Sequence, residues 1–297
     1  MSFSTDVKDE LYTRFNKARH CRVAELAAII SFGCDIKRDG DKIVLMPVTG
    51  GERLRKKYFS LISKTTDIRG KEIIEGDDAL KVLRVVKLYD ETLEDETDYI
   101  DGLILQQPCC KRAYIRGAFL ASGTISDPNK SYHFEITAKT KRQAVELQEA
   151  LEFFEIKAGV VSRKKHFAVY LKDSSKIVDI LNIMEAHKSL MNLENVRIVK
   201  EVRGQINRKV NCETANIKRT INACVKQIED IKFIRDNIGL SELPETLEEM
   251  AIVRLEHPDT SLQELGTFLK EPIGKSGVNH RLRRISKIAD ELREQEG

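Results

Sequence analysis

A basic stretch near the end of the chain is the part of the sequence best suited to bind an anionic polymer. Residues 275–284 read KSGVNHRLRR and contain no acidic side chain. At the start of a helix, backbone amides can meet a phosphate, and Asn or Arg side chains can read base edges in the major groove. The residues predicted to contact DNA are Lys275, Ser276, Gly277, Asn279, His280, Arg281, Arg283, Arg284 and Lys287. The alternative is an amphipathic helix whose basic face is only solvated.

Short helices must hold this stretch in place. Ser261 and Glu264 form an S-x-x-E capping box that opens a helix over SLQELGTFL, and KEPIG then breaks the chain. The next helix is predicted to begin near Lys275 or Ser276, with one apolar seam opposite the basic side chains. That seam consists of Val278, Leu282, Ile285, Ala289 and Leu292. The pattern predicts an all-α helix-turn-helix domain over residues 240–297.

The cysteines show no linear spacing typical of a metal site. The chain has no C-x-x-C pair and no His spacing suited to zinc, so we expect reduced thiols, no metal and no cofactor. A redox role for the neighbours Cys109 and Cys110 is the alternative. The six cysteines are Cys21, Cys34, Cys109, Cys110, Cys212 and Cys224.

Length and composition predict more than one core and a local basic surface. The chain has 297 residues, of which 41% are hydrophobic and 33% charged, with a net charge of only +3. The charged N-terminus lacks the apolar stretch of a signal peptide, and the apolar runs are too short to span a bilayer. We therefore expect a cytoplasmic protein with no membrane partner, and the predicted DNA contact would make it nucleoid-associated.

Two segments of the first two thirds of the chain repeat each other. ELAAIISFG at 25–33 and IRGAFLASG at 115–123 end in glycines that lie 90 positions apart. After each glycine the sequence predicts a hairpin, around Asp39-Gly40 and around residues 127–129, then a helix over 51–64 and 141–154. Second hairpins are predicted over 68–86 and 158–172. Each repeat, about 20–109 and 110–206, therefore has the order helix, hairpin, helix, hairpin, helix.

The first helix of each repeat carries small residues four positions apart, Ala27 with Ser31 and Gly117 with Ala121. Two such faces allow helix backbones to approach closely. The segments resemble degenerate copies of the LAGLIDADG motif of homing endonucleases, a resemblance that implies paired helices at a pseudo-twofold axis.

In active members of that family an acid before the closing glycine holds metal ions beside the scissile phosphates. Here those positions are Phe32 and Ser122, so we predict no catalytic residues. Asp35 and Asp127 lie a few residues further on, but aspartate beside a hairpin ordinarily serves turn geometry.

Two further basic groups are weaker candidates for DNA contact. Arg163, Lys164 and Lys165, with His166, form a hairpin tip, while a second group lies at a helix start; such groups are more often solvated faces. The second group is Arg53, Arg55, Lys56 and Lys57.

A linker helix is predicted over 207–239, ended by Gly239. Its stripe consists of Ile217, Ile221, Cys224, Ile228 and Ile231.

Three stretches resemble the bacterial WhiA family of sporulation and cell-division regulators. They are RGAFLASGTISDP, NRKVNCETANIKRT and EHPDTSLQELGTFLKEPIGKSGVNHRLRRISKIADEL. The resemblance covers nearly the whole chain and implies an α+β protein. An inactive LAGLIDADG-like domain (1–206) would be followed by a sigma-factor-like helix-turn-helix (240–297).

The sequence thus predicts a non-catalytic, sequence-specific DNA-binding regulator of transcription. The resemblance adds a role in cell division, chromosome segregation or sporulation. Double-stranded DNA is the expected partner, with another transcription regulator or RNA polymerase as a further partner. The alternatives are a metal-dependent site-specific endonuclease and a mainly protein-binding scaffold with an accessory DNA-binding tail.

Overall fold

The computed structural model describes residues 2–39, 42–48, 51–71, 73–90, 95–96, 100 and 102–296. It divides into two compact units, Met1–Glu201 and Val202–Gly297. Each unit has its own cluster of buried apolar side chains. The α+β fold class predicted from the sequence is confirmed, since a unit of helices and sheets precedes a helical one.

The first unit begins with helix α1 (Phe3–Tyr12), which the sequence analysis did not predict. The first repeat follows as α2 (Arg19–Gly33), β1 (Cys34–Asp39), β2 (Lys42–Pro47), α3 (Gly51–Thr65), β3 (Ile74–Glu75) and α4 (Asp77–Val85). Two short strands, β4 (Tyr89–Asp90) and β5 (Asp95–Glu96), pair with each other. The order β1-β2-β3 is antiparallel, and the predicted first hairpin is confirmed; Gly40 of its turn lies outside the described residues.

The second repeat keeps the predicted order of elements. It consists of α5 (Pro108–Ser122), β6 (Gly123–Ile125), β7 (Phe134–Ala138), α6 (Lys141–Glu152), β8 (Gly159–Arg163), β9 (His166–Leu171) and α7 (Ser174–Ile183). The strands form an antiparallel sheet in the order β6-β7-β9-β8. Both hairpins predicted for this repeat are therefore confirmed.

The second hairpin predicted for the first repeat is wrong. Only β3 of the 68–86 segment is a strand, and residues 77–85 form helix α4. The apolar side chains of this stretch recur at helical spacing, with Ala79, Val82 and Leu83 buried, and Asp77 and Asp78 lie in the first turn where the helix dipole favours acids. The period of 3.6 residues therefore prevails over the apparent alternation.

Helices α2 and α5 pack against each other at the centre of the first unit. A Cβ atom built on Gly117 would lie 2.5 Å from the Glu25 carbonyl oxygen and 2.9 Å from the Ala28 Cβ. Ala27 and Ala121 are also buried. The predicted close approach of the two small-residue faces is confirmed, and Gly117 is the residue that permits it.

A buried ion cluster joins the two helices to α3. Glu25 is fully buried and accepts from Lys57 Nζ at 2.8 Å and from Arg116 Nη2 at 3.2 Å. The same guanidinium reaches Glu185 at 3.2 Å. The inclusion of Lys57 in a basic DNA-contacting group is therefore wrong, because its amphipathic helix turns this lysine into the core.

The helix predicted over 207–239 begins earlier. Helix α8 runs from His187 to Asn237, so the boundary between the two units falls within it. Leu193, in the early part of α8, is buried in the core of the first unit. Gly204 does not end the helix, because one glycine lowers helix stability by only about 1 kcal/mol. Gly239, with φ of +84°, follows its end as predicted.

The second unit contains α9 (Glu245–Glu256), α10 (Leu262–Leu265) and α11 (Lys275–Glu296) after α8. The predicted capping box is confirmed: the Ser261 side chain accepts from the Glu264 amide, and the Glu264 carboxylate accepts from the Ser261 amide. Helix α11 begins at Lys275, as expected. Its seam is buried at Val278, Leu282, Ile285 and Ala289, with Leu292 partly buried.

Candidate nucleic-acid interface

One face of α11 presents basic and polar side chains to solvent. Since successive residues of a helix are rotated by about 100°, the side chains of this face lie within an arc of about 100°, centred opposite the buried seam. The stripe, hereafter the α11 basic stripe, consists of Ser276, His280, Arg283, Arg284 and Lys287, all of them exposed.

The charges of the stripe are largely uncompensated. Lys287 pairs with Glu291 at 3.3 Å, one turn further along the helix. Arg283 and Arg284 have no acidic partner among the residues that the structure describes. Two guanidinium groups are therefore free to bind phosphate or a base edge, since Arg presents a planar fork of donors suited to both.

The other predicted contact residues lie beside the stripe. Arg281 is half-buried and donates through Nη1 to the Thr246 carbonyl oxygen at 3.4 Å. Gly277 is half-buried, and a Cβ atom there would lie 3.1 Å from Ile273 Cδ1. Arg281 thus helps to fix α11 against α9, and Gly277 makes room for Ile273.

Lys275 and Asn279 line a cleft in the second unit. The cleft has a volume of about 430 Å³, and its wall includes Arg219 of α8 and the cap residue Ser261. The first turn of α11 contains no acid. Unpaired helix amides and two basic side chains make this cleft suited to an anion.

The ends of α2 and α5 that would carry catalytic acids are occupied by other groups. Phe32 is buried and packs edge-on against Tyr114, with ring centroids 6.0 Å apart. Ser122 Oγ donates to the Thr137 carbonyl oxygen at 2.7 Å. Neither side chain supplies an anionic oxygen for a divalent cation.

The two nearby aspartates are engaged elsewhere. Asp35 lies 3.6 Å from Lys139 Nζ, whose charge opposes that of a metal ion. Asp127 accepts from the Asn129 amide at 2.9 Å and from its side chain at 3.0 Å, and these bonds lower the pKa of the Asp127 carboxyl. Asp127 therefore serves its turn, as expected of aspartate at that place.

The weaker basic groups of the first unit are partly neutralised. At the β8–β9 tip, Arg163 donates to Glu135 at 2.7 Å, while Lys164 and Lys165 are exposed. Lys56 pairs with Glu52 at 2.7 Å. At the same helix start Arg53 pairs with Asp9, and Arg55 is exposed.

The structure brings together four side chains that linear spacing kept apart. His20 and Cys21 lie in the first turn of α2, and Cys109 and Cys110 in the first turn of α5. Their ligand atoms all lie within 4.8 Å of one another. Burial, followed by the neighbouring Cys109, raises the pKa of Cys21 to about 12, and burial also raises the pKa of Cys110.

This group is not evident from cysteine spacing because its two pairs of side chains lie about 90 positions apart in the chain. The repeat itself carried a signal: the offset of 90 positions that relates the two copies pairs His20 with Cys110.

Among the residues that the structure describes, no helix combines the length and apolar character needed to cross a bilayer.

Comparison with known proteins gives a family match to a part of each unit. Residues 206–289 match the WhiA C-terminal HTH domain, and residues 111–203 match the WhiA LAGLIDADG-like domain. A probable cell division protein WhiA of Lachnoclostridium phytofermentans is 49% identical, over 99% of this chain and 100% of that protein. One of Lachnospira eligens is 44% identical, over 100% and 99%. The crystal structure of full-length DUF199/WhiA from Thermatoga maritima aligns with a TM-score of 0.59 at 26% identity, covering 98% of this chain and 99% of that one.

Proposed function

Because the chain belongs to the WhiA family, we propose that it is a non-catalytic, sequence-specific DNA-binding regulator of transcription that acts in cell division. Chromosome segregation and sporulation are the related processes in which we propose a role. The observation that carries the proposal is the α11 basic stripe, whose Arg283 and Arg284 are exposed and have no acidic partner among the described residues.

In this proposal α11 is the recognition helix of a helix-turn-helix and lies in the major groove. His280, near the centre of the stripe, and Arg284, at one edge of it, read base edges, and each good contact contributes about 1 to 3 kcal/mol of discrimination. Arg283 and Lys287 bind phosphates. Each phosphate contact makes binding more sensitive to salt, because condensed counterions are released from the duplex.

In this proposal, the cleft beside the start of α11 fixes the orientation of this helix on the duplex. Lys275, Asn279 and Arg219 line it together with the first turn of α11, so that one backbone phosphate can be held by helix amides and two cationic side chains. Arg281 belongs to the support of this arrangement through its bond to the Thr246 carbonyl.

The absence of catalysis follows from the ends of α2 and α5. Cleavage by a two-metal mechanism needs anionic oxygens that hold cations beside the phosphate. A buried phenylalanine and a serine bonded to a backbone carbonyl take those positions, and Lys139 lies beside Asp35. The first unit then acts as a scaffold, and another regulator or RNA polymerase is the protein partner we propose for the DNA-bound state.

Selection from fragmented genomic DNA tests the proposal. Full-length protein should enrich a small set of fragments that share a sequence, and the Arg283→Ala/Arg284→Ala variant should enrich none. The matched control is Lys157→Ala/Lys188→Ala, which removes the same charge from exposed lysines of the first unit and should enrich the same fragments as wild type. Equal enrichment by wild type and the arginine variant would contradict the assignment of α11.

A further inference from the structure

The first turns of α2 and α5 bring two pairs of neighbouring side chains together. His20 and Cys109 are the second residues of their helices and are exposed; Cys21 and Cys110 are the third residues and are buried. The four side chains therefore form a group in which each repeat supplies one exposed and one buried member.

The distances match the edges of a tetrahedron. His20 Nδ1 lies 3.1 Å from Cys110 Sγ, 3.4 Å from Cys21 Sγ and 4.0 Å from Cys109 Sγ. With Zn–S bonds of about 2.3 Å and a Zn–N bond of about 2.0 Å, tetrahedral geometry requires N to S separations of about 3.5 Å and S to S separations of about 3.8 Å. No pair of ligand atoms exceeds 4.8 Å, so rotamer adjustment closes the remaining difference.

We propose that His20, Cys21, Cys109 and Cys110 form a zinc-binding site that joins the two repeats. One imidazole and three thiolates are a ligand set that zinc prefers, and they fill all four positions of a structural site. The thiols release three protons when the metal binds, and the positive ends of two helix dipoles favour the resulting thiolates.

The site has a defined place in the fold. It lies at the N-terminal ends of α2 and α5, whereas Phe32 and Ser122 lie at their C-terminal ends. Zinc there holds together the two helices whose contact is the centre of the first unit. The exposed His20 and Cys109 leave a route by which the ion enters.

Metal content and cobalt spectra test the proposal. Full-length protein, purified reduced and without a polyhistidine tag, should contain about one zinc per chain, as expected for a single tetrahedral site. Cobalt substitution should give the absorption of a tetrahedral thiolate site. Cys109→Ser should lower the affinity for either metal at least tenfold and weaken the thiolate-to-cobalt band, because two thiolates replace three.

Two variants serve as controls. Cys212→Ser changes another exposed cysteine, on α8, and should keep wild-type zinc content and spectrum. Cys109→His replaces one ligand by another and should restore metal binding with the weaker thiolate band. The tyrosine circular dichroism of Cys109→Ser provides the folding control. A spectrum that matches that of wild type shows that the variant is folded and has lost only metal affinity.

Three results would overturn the site: equal zinc affinities for wild type and Cys109→Ser, a cobalt complex without tetrahedral absorption, or a Cys21–Cys109 disulfide in reduced, zinc-supplied protein.

Discussion

The contact between α2 and α5 can be tested at a single atom. In Gly117→Ala the new Cβ would lie 2.5 Å from the Glu25 carbonyl oxygen, 3.3 Å from the Glu25 carbonyl carbon and 2.9 Å from the Ala28 Cβ. Ordinary van der Waals contacts begin at 3.4 Å. The carbonyl oxygen is part of the α2 backbone and cannot rotate away. The two helices must therefore move apart by nearly the difference between the 2.5 Å contact and the ordinary 3.4 Å.

Two opposing effects set the size of the change. Overpacking of a tight core costs about 1 to 3 kcal/mol. Alanine is favoured over glycine within a helix by about 0.5 to 1 kcal/mol. Because the clash is with backbone, we expect the cost to lie near the upper end of its range, so Gly117→Ala should lower the free energy of unfolding of the first unit by about 2 to 2.5 kcal/mol.

The assay can follow the first unit alone. All seven tyrosines precede residue 201, and the chain has no tryptophan, so tyrosine fluorescence and near-ultraviolet circular dichroism report on that unit. Urea unfolding followed by these signals should give a lower midpoint for Gly117→Ala than for wild type. Restricting the probe to one unit also avoids treating two units as a single two-state transition.

Gly204→Ala is the matched control. Gly204 is also a helical glycine, but its nearest neighbour is the Arg208 guanidinium at 3.4 Å, which can move. Far-ultraviolet circular dichroism should show this variant to be as stable as wild type or slightly more stable. A Gly117→Ala variant that gains stability as Gly204→Ala does would refute the close packing of the two helices.

Three other changes test the cores and the buried charges. Arg116→Met should destabilise the first unit by about 3 to 5 kcal/mol in the same urea assay, because it removes a partner from the fully buried Glu25. As a control, Lys56→Ala, which removes an exposed ion pair with Glu52, should change stability by less than about 1 kcal/mol. Burial raises the pKa of Tyr58 and Tyr114 in the folded protein. As pH rises above about 10, these tyrosines lose their protons first in the unfolded chain, so the free energy of unfolding of the first unit should fall. Absorbance at alkaline pH should show two tyrosines that ionise only on unfolding; titration of all seven in the folded protein would contradict their burial. Leu282→Ala should destabilise the second unit by about 2 to 5 kcal/mol and weaken DNA binding, while the tyrosine transition of the first unit stays unchanged. A second unit as stable as that of wild type would disprove the burial of the α11 seam.

The parts of the fold that the sequence predicted are those set by local rules. The capping box at Ser261 and Glu264 depends on two side chains three positions apart, and the seam from Val278 to Ala289 depends on helical periodicity. The repeat was visible because both copies keep small residues at the helix contact. The α11 basic stripe follows from the same periodicity, since a buried seam fixes which side chains face solvent.

The features that the sequence did not predict depend on tertiary contacts. Lys57 reads as a surface lysine within a basic run, and its burial depends on tertiary partners, namely Glu25 on α2 and the carbonyl oxygens of Leu11 and Arg14. The group formed by His20 and Cys110 requires the pseudo-twofold packing of two helices distant in sequence. The α4 segment was predicted to be part of a hairpin because apolar and polar residues appear to alternate there. Its helical state depends on packing against β2 and β3, which the local sequence does not show.

The central claim, that the protein binds a duplex specifically and does not cut it, can be tested on one labelled fragment carrying the selected site. Full-length protein is incubated with this fragment and Mg²⁺ or Mn²⁺, the complex is separated on a native gel, and its DNA is then resolved on a denaturing gel in the second dimension. We predict a retarded complex that contains only full-length strands. Shortened strands in that complex, lost when Asp35 or Asp127 is changed to alanine, would contradict the account.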